Sequence, residues 1–434
     1  MKVGVIGAGA LGLTAALRLQ EAGHQVTVFE REPEVGGLAG SFEVADGIWL
    51  EKFYHHIFRT DRYAIDLIRE VGLESRLEWH RPSTTVLRDG RILTLDSPAS
   101  VLRFGPLSPL QRVRLGAGLA LLRAMPRPVG LHDVPAGRWM RRVFGSEVHR
   151  VVWEPLLQGK FGGHANHVAM AWLWARIHSR TQELGYLSGG FHQLYAALAK
   201  RLEQGAARLV TGASVEYVGS VDRSVHVRFS TATDGPTEAR FDRVISTVAT
   251  PLTVAIVPSM PSAYAERYPM PKALGAHCLI LALERPLTDV YWIGVNDPGY
   301  PFLAVVEHTN LVSASQYGGY HLAYLGNYRE HDDSIFQMSQ SEMIAEYTPA
   351  LRRLNPDFNS AWIRKSWIFA APFAQPVVSP GFARTIPPFD TPVGRLHVAN
   401  MFQVYPFDRG QNYSIALAER VVRHVVAAEA RDPA

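Results

Sequence analysis

Hydrophobic and polar positions alternate between two rhythms along the chain. After Lys2, residues 2–6 (KVGVI) are apolar at successive positions, as in a strand covered on both faces rather than one. GAGALG interrupts that run, TAALRLQEAG continues it at helical spacing, and QVTVFE returns to a strand. Residues 62–76 (RYAIDLIREVGLESR) have the spacing of an amphipathic helix, and residues 84–96 predict short strands around the turn RDGR. From 98 to 182 the pattern is helical, ending in HVAMAWLWARIHSR. RLVTGASVEYVGSV then predicts one strand, and SVHVRFST with TEARFDRVIST a hairpin-like pair broken at TDGP. Residues 255–385 mix strands (HCLILALE, DVYWIGV, FLAVVEHTN, HLAYLGNY) with a helix near SQSEMIAEYTPALRRL. The chain closes as strand, glycine turn and long helix.

Composition narrows the classes. With 434 residues, 47% apolar and 19% charged, the chain is globular. A formal charge of +4 suits anionic ligands or a membrane surface and is too weak to argue for nucleic acid. The single cysteine, Cys278, excludes an internal disulfide and a cysteine-based zinc site, which fits a reducing cytoplasm. No uninterrupted apolar stretch reaches the roughly 20 residues of a membrane span, so the expectation is a cytoplasmic protein, at most peripheral at the inner face of the membrane. Residues 103–127 carry five arginines and no acid among apolar residues. They read either as an interfacial element or as a helix packed within the protein.

Chemistry enters at Gly7, Gly9 and Gly12, a GxGxxG between strand and helix. Gly7 permits the tight turn, Gly9 the close approach of a pyrophosphate, and Gly12 the packing of helix on strand. The helix start presents free N–H groups to phosphate, and Glu30, at the end of the second strand, can accept from ribose hydroxyls. Together they predict dinucleotide binding in a Rossmann-like α/β domain. Glu30 is followed by REPEVGGLAGSF, which stays glycine-rich where an ordinary helix is usual.

With this loop the chain resembles the FAD-dependent amine oxidase, protoporphyrinogen oxidase and phytoene desaturase superfamily, with features similar to UDP-galactopyranose mutase. The shared features are E-R/K-x-x-x-x-G-G, here Glu30, Arg31, Gly36 and Gly37, and the run WEPLLQGKFG at 153–162. The resemblance implies FAD, bound by Gly7, Gly9, Gly12, Glu30, Arg31, Gly37 and Leu38, which stands where relatives often carry arginine. It also implies that Val215 lends its backbone to the adenine. An FAD domain from 1–75, 185–255 and 386–434 would interleave with an α+β substrate domain from 76–184 and 256–385, helical over 98–182. Relatives end the last strand in Gly-Asp. Here LHVAN ends in Asn400-Met401, and FDRGQNY supplies Asp408, Arg409, Gly410, Gln411, Asn412 and Tyr413 to the flavin end. The residues alone leave Asp408 open to a helix-capping role and Arg409 to a surface ion pair.

The implied activity is dehydrogenation of a hydrophobic, amphipathic or lipid-like molecule by hydride transfer to the flavin, with His56 and Arg409 as candidate catalytic residues. The alternative is a non-redox, mutase-like enzyme acting on a sugar nucleotide or lipid-linked sugar. In FYHHIF, adjacent side chains of an extended chain point oppositely, so His55 and His56 are not expected to share a metal, and no metal site is expected. The mutase-like resemblance implies that His56 lies near the flavin, and alternation then puts Tyr54 on the same face while His55 packs away. The other reading of His56 is a satisfied core histidine. Arg176 and Arg180, at i and i+4, read as an anion-binding pair or a solvated face. EHTN (307–310) reads as a substrate-facing patch or a strand end with a turn.

Overall fold

In a computed structural model that describes residues 1–269 and 272–432, the first strand Lys2–Ile6 lies at the centre of a five-stranded parallel sheet. Its order is Arg208–Val210, Gln25–Phe29, Lys2–Ile6, Arg243–Ser246, Leu396–Val398, so the sheet is assembled from four distant parts of the chain. Helix Ala10–Glu21 covers it with Leu11, Leu13, Ala16, Leu17 and Leu19, and packs on the closing helix Gln411–Arg431. Burial on both faces explains why KVGVI shows no alternation.

Two expected strands divide. RLVTGASVEYVGSV turns at Gly212 (φ 64°), so Arg208–Val210 joins the parallel sheet while Ser214–Val221 opens a three-stranded antiparallel sheet. TEARFDRVIST divides at Asp242 in the same way, into Thr237–Phe241 and Arg243–Ser246. Phe29, with ring centroids 4.7 Å from Phe229 and 5.8 Å from Phe241, packs between the two sheets.

A seven-stranded sheet forms the other half. Its order is Ile363–Pro376, Ala273–Leu283, His321–Arg329, Ala304–Glu307, Trp292–Val295, Thr84–Arg88 and Arg91–Thr94. The strand Ala273–Leu283 is buried along its whole length, Cys278 included. Residues 98–179 are predominantly helical, and two helices there matter for the site. Glu154–Phe161 follows a π-helical turn, His149–Trp153, beside Pro155, where the ladder loses a donor. Met170–Ser179 buries Met170 to Ala175 and carries Trp172 and Arg176, with Arg180 directly after it, one turn apart on one face.

Candidate active site

The two glycine loops are pressed backbone to backbone. Gly36 N donates to Ala8 O at 2.9 Å, and Gly9 and Gly36 form a parallel bridge. A β-carbon on Gly12 would lie 1.8 Å from Gly7 O, whereas one on Gly9 would meet nothing nearer than 3.8 Å. Gly12 is therefore required by the fold, while Gly9 leaves open space over the helix start. That helix has no side-chain cap and no acid in its first turn, so its N–H groups are available to an anion. Glu30 accepts from Ala8 N (2.8 Å) and Glu32 N (3.0 Å), and its carbonyl accepts from Ala213 N (2.7 Å), beside Val215. Gly37 (φ 57°) would bring a β-carbon to 3.2 Å from Gly9 Cα. These residues converge on one cradle. Arg31 lies outside it, exposed and paired with Glu32 at 2.9 Å, and Leu38 is 37% exposed.

The closing helix starts at Gln411 with Gly410 as an extended N-cap and no side-chain cap. Gln411 Oε1 accepts from Tyr195 (2.7 Å), whose ring borders Gly36, and Asn412 Oδ1 accepts from Ala64 N (3.2 Å). Gln411 Nε2 is buried without a hydrogen-bond partner beside that loop. A buried amide donor left unsatisfied is costly, and a ligand acceptor there would satisfy it. Tyr413 stacks on Phe407 (4.2 Å, 10°) and donates to Ser179 at 3.2 Å. Asn400 and Gln403 form a capping box over Met401–Val404, and Asn400 Nδ2 also donates to Thr250 and Val248 O. Asn400 thus holds the turn where relatives carry Gly-Asp.

Asp408 does not cap the helix, and Arg409 makes no surface pair. The Asp408 carboxylate accepts from Arg176 (2.7 Å), Lys160 (3.3 Å) and Trp172 Nε1 (3.3 Å). The partly buried Arg409 guanidinium bonds Gln375 Oε1 and donates to the Tyr328 hydroxyl at 2.6 Å. Burial pushes the Asp408 carboxyl up, but Lys160, Arg176, Arg409 and Arg180 outweigh it and hold it below the usual carboxylate range. Burial also pushes the Lys160 ammonium well below its ordinary value; Asp408 opposes this and the three arginines reinforce it. Arg180 is pushed down to about 9 by burial and by Arg176. Four basic side chains thus surround one carboxylate.

Residues 52–56 are irregular and only Ile57–Phe58 pair as strand, so the alternation expected for an extended FYHH does not apply. His56 Nδ1 lies 3.2 Å from the Tyr291 hydroxyl, and its ring packs edge-on to Phe58. Burial, then the charge of Arg180, pushes its imidazole down to about 3, so it is neutral at physiological pH. His55 Nδ1 lies 2.5 Å from Phe53 O, and burial pushes its imidazole down to about 4. Tyr54 packs edge-on to Trp292 (4.9 Å) and Tyr324 (6.1 Å). Tyr54, His55 and His56 are partly buried, and Arg180, directly after the helix, keeps surface open to water. EHTN is a strand end with a turn: Glu307 accepts from Leu287 N, and buried His308 bonds Tyr317.

Sequence reasoning missed Lys160 and Gln375. The available signal was a lone lysine or glutamine inside an apolar run, in LLQGKFG and FAAPFAQP.

The cradle fits FAD. Gly7, Gly9 and the helix start would take the pyrophosphate, Glu30 the ribose, and the uncapped Gly410–Tyr413 helix start the electron-rich end of the ring. A candidate protoporphyrinogen oxidase from Exiguobacterium sp. 255-15 superposes over 98% of this chain and 99% of its own, with TM-score 0.76 and 17% identity. A reduced UDP-galactopyranose mutase superposes over 98% and 96%, with TM-score 0.74 and 16% identity. At these identities the likeness is one of fold. A 15-cis-phytoene desaturase of Synechococcus elongatus is 37% identical over 79 residues, 18% of this chain and 17% of the desaturase. The chain spans about a sixth to a third of the length of the first curated relatives it matches. The model of the flavin containing amine oxidoreductase family matches residues 12–404, so the chain belongs to that family, and its cofactor is FAD.

Proposed function

We propose that the protein is an FAD-dependent oxidoreductase that dehydrogenates an amphipathic molecule, apolar along its length and acidic at one end. Bound FAD supplies the hydride acceptor, N5. The observation that carries the reading is the enclosed excess of cations around Asp408. A second anion there, a carboxylate or phosphate of the substrate, offsets charge that is otherwise costly to desolvate. Tyr54, Trp292 and Phe58 offer apolar walls, and Tyr291 orients the neutral His56 ring along them. In this reading Arg409 and Arg180 position the acidic end, and His56 lines the reacting region without exchanging a proton. The desaturases matched in sequence support an apolar substrate. The mutase reading is not favoured, since its likeness is confined to the fold.

The same proposal extends to the surface. Helix Pro109–Ala124 buries Leu115, Gly118 and Leu122, which accounts for the packed-helix reading of one face. Its other side exposes Leu110 (78%), Val113 and Leu121, near exposed Leu102 and Val129. Arg103, Arg123 and Arg127 are also exposed there, which supports contact with an anionic bilayer from which a lipid-like substrate would enter. Among the described residues no helix is long and apolar enough to cross a membrane.

The test is selectivity. Anaerobic flavin reduction by a polyene carboxylate and by the corresponding neutral polyene is compared in wild type and Arg180→Gln. The expected result is at least a tenfold loss for the acid alone, equivalent to about 1.4 kcal/mol. Equal loss for both substrates refutes the acidic-end assignment.

A further inference from the structure

A second cluster stands apart from the cleft. Asp390 and His397 face each other across an antiparallel bridge flanked by Val398 N to Phe389 O (2.8 Å) and Thr391 N to Leu396 O (3.3 Å). Residues opposed in this way send their side chains to the same side. The closing helix brings His424 to meet them. His424 Nε2 lies 2.7 Å, and His397 Nδ1 2.9 Å, from the same Asp390 Oδ1. One ligand atom from each residue falls within 4.8 Å of the others, the one such group of three or more His, Cys, Asp or Glu among the described residues.

His397 supplies an independent observation. It is 2% exposed, and neither ring nitrogen completes a hydrogen bond, although Nδ1 is within reach of the carboxylate. A nitrogen close to an oxygen but not aligned with it is the relation of two ligands that share an ion. Asp390 and His424 are partly open to solvent, which leaves an entry path and room for water. Of the arginines beside the cluster, buried Arg243 pairs with Glu429 at 3.1 Å and Arg395 with Asp432 at 2.9 Å.

We propose that Asp390, His397 and His424 bind one first-row divalent transition cation, Zn²⁺ foremost, with water completing the shell. Two imidazoles and a carboxylate are ligands such ions take at about 2.0–2.2 Å, a separation reached here by small side-chain shifts. His424 lies thirteen residues beyond Gln411, roughly 20 Å along the helix, so the ion would tie the last strand's hairpin to the closing helix rather than act on the flavin. Spacings of seven and twenty-seven residues match no metal motif, which is why the sequence led to an expectation of none.

The experiment uses tag-free, FAD-loaded protein dialysed against chelator and titrated with Zn²⁺ by calorimetry, with Co²⁺ absorption as a second readout. The expected result is one ion per chain, with affinity at least tenfold weaker in both Asp390→Asn and His424→Gln. Both substitutions fall on accessible side chains, so flavin content and flavin spectrum should match wild type. No stoichiometric binding, or binding with wild-type affinity in both variants, overturns the site.

Discussion

Replacing Asp408 by Asn removes the one carboxylate among Lys160, Arg176, Arg180 and Arg409 while keeping its shape. The ion pairs at 2.7 and 3.3 Å join side chains only 22% (Asp408), 16% (Arg176) and 11% (Lys160) exposed, so solvent screens them weakly. A pair of unit charges 4 Å apart at an effective dielectric of 20 interacts by about 4 kcal/mol. Breaking a buried pair by deleting one partner costs about 3–5 kcal/mol, because the remaining charges stay desolvated. At about 1 °C per kcal/mol for a chain of 434 residues, Tm should fall by roughly 3–5 °C at pH 7. Scanning fluorimetry on flavin-matched samples measures it. The sign with pH follows from the depressed carboxyl: its contribution is present above the unfolded value near 4 and is lost as pH falls through the lower folded value. Wild type and variant should therefore converge in acid. Millimolar phosphate should raise the variant's Tm more than the wild type's. A variant that melts with wild type at pH 7 refutes the view that Asp408 balances enclosed cations.

Gly12→Ala forces a β-carbon to within 1.8 Å of Gly7 O, so it should lower both Tm and flavin content; Gly9→Ala should keep the wild-type apo-protein Tm and lose flavin alone. Burial pushes the Glu307 carboxyl up to about 8, so the folded state holds a proton that the unfolded state releases near pH 4.5. Stability should fall between those values by up to about 1.4 kcal/mol per pH unit, and Glu307→Gln should flatten that slope in a pH series of urea melts. Leu110→Glu with Val113→Glu, on exposed sites, should abolish sedimentation with phosphatidylglycerol vesicles while leaving phosphatidylcholine controls and Tm unchanged.

The cradle was legible because each glycine answers a local backbone demand and Glu30 follows at a fixed distance. The Gln411 turn was legible through the resemblance. The cation cluster was not, because Lys160, Arg176, Tyr328, Gln375 and Arg409 come from five separate segments, joined only by sheet register and helix packing. Only the i, i+4 spacing of Arg176 and Arg180 hinted at a shared face. The FYHH stretch shows a related limit: alternation presumes a strand, and pairing begins only at Ile57. The split strands at Gly212 and Asp242 show the same limit, since a run of β-formers does not reveal which of two sheets each half will join.

The central claim is that the bound flavin accepts electrons from an amphipathic substrate. Its most direct test is anaerobic mixing of the purified yellow protein with a long-chain polyene carboxylate, following the flavin's visible band and isolating the product. Bleaching by substrate alone, with one new double bond per flavin reduced, is the predicted result. An unchanged band, with turnover of a sugar nucleotide only after dithionite reduction and no net oxidation, would contradict it.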